Sequence, residues 1–374
     1  MGRIAEVSTR AALAIVVAAL ALSPTSMRAQ SGQEGIFLLL PMGARAVGMG
    51  EAVVAQRGGS DMLWWNPAAI ARTTSAISSG NSTGNSTGNS TGNSTGNSTA
   101  HVSGIAPGIA SGGATAVAAD SAQPSSREPD HEIALHHSTT VVGQGNALAI
   151  VWPGANGSAF GVSLNVLDLG QQTLTDETGN SIGVATPTDY SVAATYAAVP
   201  ANWLTVGITA KHVEAGIPCS GVCSGLGIAS SRSNGIDVGL QVRPSAFPLT
   251  IGAAARNLGI AGAAGRPGRL DVGADYAVVA FARGNDRVEV HGAASLVSTV
   301  HMDSTTSRFG TDVIVDERLH VRAGYIRDPV NGSGAAIGVG LQSGKLVFDI
   351  GRTYGGLTGT NDKPPTYFSL RYLW

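Results

Sequence analysis

The chain has 374 residues, enough for two or three ordinary soluble domains, but only 13% of them are charged and 51 are glycine. Soluble domains carry about 25% charged residues, so this composition argues against that class. The formal net charge is −2, with no acidic or basic block along the chain, which removes the electrostatic reason to expect a nucleic-acid partner.

Residues 1–29 have the three parts of a secretory signal: basic Arg3 and Arg10, an apolar run at 11–22, and a small residue closing Met27-Arg28-Ala29. The apolar run is about a dozen residues, short of the roughly 20 that a spanning helix needs. Cleavage near Ala29, export, and a mature chain without a transmembrane helix are expected.

Residues 43–72 read GARAVGMGEAVVAQRGGSDMLWWNPAAIAR. Gly43, Gly48 and Gly50 let the backbone pack closely or take φ > 0. Met49 lies between two of them. Trp64 and Trp65 precede the turn Asn66-Pro67-Ala68, which reads as a large apolar anchor followed by a chain reversal. The G-x-G-x-x-G spacing and a P-loop Lys-Ser/Thr are both missing, so the stretch is not a nucleotide site. It predicts a helical or irregular segment over 30–72 that packs against a larger body.

Residues 73–130 contain Asn81-Ser82-Thr83-Gly84 repeated through Asn97-Ser98-Thr99, followed by a Gly/Ala/Ser-rich run. Such a segment buries too little apolar area to offset its ordering entropy, and disorder is expected. Each Asn-Ser-Thr is formally a glycosylation acceptor, but the regularity of the repeat reads as tandem expansion.

From His131 to Trp374 the periodicity is two. Ile236, Val238, Leu240 and Val242 alternate with Asp237, Gln241 and Arg243. Leu319, Val321 and Tyr325 oppose His320 and Arg322; Leu346, Phe348 and Ile350 oppose Asp349. This is strand alternation with an apolar face and a polar or small one. About fourteen such runs, most of roughly 8–12 residues, match tilted strands crossing a bilayer. They fall at 132–140, 147–152, 159–169, 189–199, 203–214, 235–243 and 249–258, then at 269–278, 287–297, 307–315, 318–327, 335–342, 345–354 and 367–374.

From the second strand onward, short links (153–158, 200–202, 244–248, 316–317, 343–344) alternate with longer ones (170–188, 215–234, 259–268, 298–306, 355–366). Short turns on one rim and long loops on the other are the asymmetry of an outer-membrane barrel. The expected fold is therefore all-β: a transmembrane antiparallel β-barrel of about 14 strands over 131–374, with the N-terminal segment as a plug in its lumen. Charges on the small face then point inward, among them Lys211, Asp237, Arg243, Arg256, Asp271, Asp275, Glu289, Arg322 and Asp349. The aromatic content of 5% predicts thin interfacial girdles. In the last strand Phe368, Leu370, Tyr372 and Trp374 form the apolar face. A bare apolar C-terminal edge would invite aggregation in a soluble protein; here it looks like a signal read by the outer-membrane assembly machinery.

Cys219 and Cys223 lie in a Gly/Ser-rich stretch of an exported chain, where a disulfide closing a small loop is more plausible than a metal site, because no further ligand is near in sequence. His131, Glu132, His136 and His137 invite a metal reading, but His136 and His137 are adjacent and point to opposite faces. No G-x-S-x-G elbow is present. No cofactor, metal or catalytic set is expected.

With these residues in hand, the chain resembles the PorV/PorQ family of bacterial outer-membrane proteins, within the FadL-like group of fourteen-stranded barrels. The resemblance rests on Gly43-Ala44-Arg45-Ala46 with Gly48-Met49-Gly50, and on Trp64-Trp65-Asn66-Pro67-Ala68. Further matches are Gly161-Val162-Ser163-Leu164 with Leu167-Asp168, Asp176-Glu177-Thr178-Gly179-Asn180, Arg256-Asn257-Leu258-Gly259, Arg322-Ala323-Gly324-Tyr325 and the C-terminal strand. The insertion at 73–130 departs from it. The resemblance implies a hatch folded into the lumen. It also implies one of two roles: work with the type IX secretion system, whose exported proteins are received and passed to surface attachment, or FadL-like transport of small hydrophobic compounds. An outer-membrane enzyme is the third and weakest reading. Partners implied are outer-membrane lipid, the assembly machinery, type IX components and exported proteins.

Overall fold

The computed structural model describes residues 36–71, 131–222, 231–244, 246–260, 267–283, 286–300, 304–330, 332–355 and 364–374. The expected signal segment, the Asn-Ser-Thr-Gly repeat, Arg72 and Cys223 lie outside these.

The N-terminal segment holds one turn of α-helix, α1 (Ala44–Gly48), and 3-10 turns at Ile36–Leu39, Ser60–Trp64 and Pro67–Ile70. Strands follow: β1 (Glu132–Thr139), β2 (Gln144–Pro153), β3 (Ala159–Asp168), β4 (Gln172–Thr175), β5 (Ser181–Ala185), β6 (Thr188–Ala201), β7 (Leu204–Gly216), β8 (Cys219–Gly221) and β9 (Ser231–Val242). The remainder are β10 (Leu249–Leu258), β11 (Arg269–Arg283), β12 (Asp286–Thr299), β13 (Thr305–Val315), β14 (Leu319–Arg327), β15 (Gly334–Ser343), β16 (Leu346–Gly355) and β17 (Thr366–Leu373).

Fourteen of these close an antiparallel barrel in which each strand pairs with its chain neighbour. β3 pairs with β6, β7 with β9, and β1 closes the ring on β17, with Glu132 opposite Leu373 and Thr139 opposite Thr366. No described helix is long and apolar enough to cross a membrane; the strands do the crossing. The closed barrel leaves no free edge strand for hydrocarbon to meet.

The outer face is apolar: Leu135, Val192, Val272, Leu296, Ile337 and Phe348 are exposed. The inner face carries the charges, with Asp237, Asp271, Arg322 and Asp349 buried. This is a protein turned inside out relative to a soluble sandwich, and it fits a bilayer-spanning barrel.

Aromatic rings cluster outward near the short-turn rim. Trp152 stacks on Phe160 at 5.8 Å, with Tyr196 in register beyond Phe160. Tyr372 and His131 both stack on Trp374, and Trp203 sits exposed in the β6–β7 turn. The girdle is thin, but it marks the bilayer boundary on that side.

Two features were not expected from the sequence. The 170–188 link is structured: β4, β5 and β8 form a separate three-stranded sheet in the long-loop region, with Ala185 opposite Cys219. β2 starts at Gln144, earlier than its apolar alternation, because Gln144 and Asn146 face outward near the long-loop rim and hide the pattern.

Candidate functional site

The lumen is filled by residues 36–71. A ring of fourteen strands is too wide for its own side chains to fill, so an inserted segment supplies the core. Met49, Val53, Met62, Leu63, Trp65 and Ile70 are each at most 3% exposed. At about 1.5–3 kcal/mol for each large apolar side chain, this cluster holds the segment's own fold. It contains little regular structure, so its backbone needs partners from outside.

The wall provides them. Ser369 Oγ accepts the Ala44 N–H at 2.9 Å, and Glu132 accepts both the N–H and the hydroxyl of Ser60 at 2.8 and 2.7 Å. Gln241 Nε2 donates to the carbonyls of Val54 and Gln56, and Arg256 Nη1 to that of Trp64. Irregular backbone is tolerated at membrane depth only where protein satisfies it in this way.

Close approach is made possible by inward-facing glycines at one level of the wall. Gly207 pairs with Gly239, Gly252 with Gly273, Gly310 with Gly324, and Gly338 with Gly351. A Cβ at Gly207 would strike the backbone of Pro67 and Ala68; at Gly252, that of Val54 and Ala55; at Gly324, that of Gly50. These pairs form a collar in which plug backbone lies directly on wall backbone.

Each residue of the plug motif has a place in this arrangement. Gly43 has φ +86 and packs on Asp61, and Gly50 has φ +57 and abuts Tyr325 and Phe309. Gly48 faces the Cα of Gly338, and Met49 is fully buried against Gly310. Trp65 donates Nε1–H to the Met42 carbonyl at 2.9 Å, while Arg256 and Arg308 lie 5.1 and 5.6 Å from its ring centroid. Trp64 stands edge-on to His136. Asn66 caps the turn at Pro67 by accepting the Ala68 N–H and donates to the Val54 carbonyl.

Two clusters stand out among the inward charges. On the β13, β14, β16 and β17 side, Arg322 bridges Asp312 at 3.0 Å and Asp349 at 2.6 Å, and Arg371 meets Asp349 at 3.1 Å. Arg371 also faces Glu132, the acceptor for Ser60, at 3.9 Å. On the β10, β11 and β13 side, Asp271 lies 3.6 Å from Arg256 and 3.7 Å from Arg308, beyond hydrogen-bonding range. Arg308 is held instead by Glu51 of the plug at 2.6 Å.

Lys211 pairs with Asp237 at 2.7 Å and donates to Asn257, whose φ of +58 marks a bulge in β10. Asp275 faces His291 and takes a bond from Gln56. Arg287 pairs with Glu289, and Arg243 lies one residue beyond β9 at the short-turn mouth. The sequence reading missed Arg45, Glu51, Ser60 and Asp61 as plug contacts, and Glu132, Arg308, Asp312, Ser369 and Arg371 on the wall. All the wall residues occupy inward positions of an alternating strand, which was the available signal.

Beside Trp64 and Trp65 a cleft of about 50 Å³ remains between the plug, the apolar Phe37–Leu40 turn and the cations Lys211, Arg256, Arg269 and Arg308. Ligand pockets usually measure roughly 300–1,000 Å³. His136 and His137 point to opposite sides: His136 Nδ1 pairs with Ser369 Oγ inside, and His137 Nδ1 with Asn146 Oδ1 outside. Ser369 is buried between the His136 ring and the plug backbone, where its Oγ accepts the Ala44 N–H. In the long-loop region Cys219 is disulfide-bonded. The β4–β5 turn is pinned by Asp176, whose carboxylate the Thr178 hydroxyl and the Asn180 N–H hold down at about 2.

No family model and no curated protein matches the chain. Among solved structures it is similar to a Pseudomonas aeruginosa FadL homologue, at 10% identity and a TM-score of 0.44, covering 90% of this chain and 98% of that one. It is similar also to the Pseudomonas putida toluene transporter TodX, at 10% identity and a TM-score of 0.41, covering 65% and 87%. With CdiB from Acinetobacter baumannii it shares 10% identity at a TM-score of 0.39, and it spans 60% of that protein's length. These are likenesses of outer-membrane barrel architecture.

Proposed function

We propose that this chain is a plugged outer-membrane barrel that assists protein export and surface attachment in the manner of the PorV/PorQ family, as a component of type IX secretion. One observation carries the reading: plug backbone lies directly on wall backbone and is tied to it by buried hydrogen bonds and the Glu51–Arg308 ion pair, so the barrel offers its rims as surfaces rather than its lumen as a passage. The residues behind the family resemblance support it, because Gly43, Gly48, Gly50 and Trp65 are the positions at which the plug meets the wall or closes on itself. In this reading the C-terminal strand from Phe368 to Trp374 is the handle for the assembly machinery. The partners are bilayer lipid, secretion components and exported proteins. No catalytic step is assigned.

Deletion of the gene is expected to abolish surface display of exported proteins; intact display would remove this reading. In a reconstituted bilayer the native barrel is expected to be nearly non-conducting. Trp65→Ala, which removes a buried ring at a local cost of about 3–5 kcal/mol, should raise conductance while the barrel still assembles. Unchanged conductance would deny the plug its sealing role.

A second reading, a transporter of small hydrophobic compounds, is favoured by the apolar Phe37, Leu38, Leu40 and Met42 around the cleft beside Trp64 and Trp65. It predicts that deletion blocks uptake of such a compound and leaves surface display intact.

A further inference from the structure

The outer wall is not uniformly smooth. Across β16, β17, β1, β2 and β3 an open furrow of about 410 Å³ runs between two neighbouring rows of outward side chains. Leu370, Leu135 and Leu148 form its lower bank, in direct register with one another. Phe368, His137 and Asn146 form the upper bank, also in register, with the His137 ring stacked on Phe368 at 6.5 Å.

The upper bank contains a polar pair on a face that meets hydrocarbon. His137 Nδ1 and Asn146 Oδ1 lie 2.9 Å apart, and both residues are exposed. One bond satisfies one atom of each. Among the described residues the ring Nε2 and the amide Nδ2 meet no further hydrogen-bond partner on the wall, and in lipid such groups need one. The pair's level in the wall matters. One row nearer the long loops, the outward register partners Thr139, Gln144, Asp168 and Thr188 are all polar. One row the other way, Leu135, Leu148, Leu164 and Val192 are all apolar. His137 and Asn146 therefore sit where the hydrocarbon of the leaflet on the long-loop side gives way to its polar linkages.

We propose that this furrow is a binding site for one bilayer phospholipid. An acyl chain lies between the two banks, and its ester linkage is hydrogen-bonded by His137 and Asn146. The lining explains the choice of linkage: among the described residues it contains no carboxylate, lysine or arginine, which suits an uncharged ester better than a phosphate. The volume falls within the range of sites that hold a small molecule. The surrounding face is already in contact with lipid, so the occupant is drawn from the solvent that this wall faces.

The test is native mass spectrometry of the full chain taken from vesicles of palmitoyl-oleoyl-phosphatidylethanolamine, after detergent has stripped loosely held lipid. The native protein should retain one phospholipid. The double variant His137→Leu/Asn146→Leu should retain at least fivefold less, as should Leu148→Trp, which fills the furrow and leaves the polar pair intact. Val272→Leu, on the far wall, should match the native protein. Heat-modifiable gel migration establishes that each variant is folded. Equal retention in all four proteins would overturn the proposal by showing only annular lipid. A dimer present in the native protein and lost in both furrow variants would overturn it in favour of a protein occupant.

Discussion

The wall's buried charges are paired by different means on the two sides of the plug. Toward β14, β16 and β17, Arg322, Asp349 and Arg371 form a run of ion pairs between 2.6 and 3.1 Å, with Arg322 and Asp349 fully buried. Toward β10 and β11, Asp271 lies at 3.6–3.7 Å from two arginines, and the side chain of Trp65 carries those cations on its ring. A short, hydrogen-bonded buried pair is costly to break from one side, because the remaining charge has no water to turn to. A longer contact without a hydrogen bond has less to lose. The first side therefore braces strand to strand within the wall. The second, next to the cleft beside Trp64, is where the wall's charges reach the plug: Arg308 holds Glu51 at 2.6 Å and Arg256 holds the Trp64 carbonyl.

The largest expected effect is on the strand-to-strand pairs. Arg322→Met leaves Asp312 and Asp349 each short of a guanidinium partner and should destabilise the barrel by about 3 kcal/mol, read as a lower denaturation midpoint in micelles. A shift no larger than that of an exposed-site control would show that the short pairs do not brace the wall. Next comes the collar. Gly324→Val sets a branched side chain against the Gly50 backbone and should cost about 1–3 kcal/mol as overpacking, with conductance raised as the plug shifts.

On the other side, Asp271→Asn should cost only about 1 kcal/mol, since no direct ion-pair hydrogen bond is lost with Arg256 or Arg308. If it equals Arg322→Met in the same denaturation assay, the contrast between the two sides is wrong.

The smallest effect lies outside the barrel. Asp176→Ala should speed amide exchange at Thr178 and Asn180 without moving the barrel's unfolding. Because hydrogen bonds hold the Asp176 carboxyl below its ordinary value, at about 2, the order it gives the turn is fully present above the unfolded value. It is lost as pH falls from about 4 through about 2.

Much of the wall was legible from residue order. Period-two alternation placed every barrel strand, and the inward positions of Asp237, Asp271, Arg322 and Asp349 followed directly. The β4–β5–β8 sheet was not legible, because its strands are only three to five residues long, too short to establish a period. The partners within the lumen were also hidden. Arg322 and Asp349 lie on β14 and β16 with β15 between them, and no spacing rule links them. The collar was written in the sequence as glycines on the small face of the strands, yet a glycine there is equally consistent with a wide empty lumen.

The sequence by itself determined that the chain alternates apolar and small or polar residues over fourteen strands, because a bilayer outside and a polar interior impose that pattern on any spanning barrel. Only the tertiary structure decided how the lumen is closed. Barrel closure brings glycines from distant strands to one level and sets arginines of one strand against carboxylates of another, and both depend on shear and register, which no local pattern encodes.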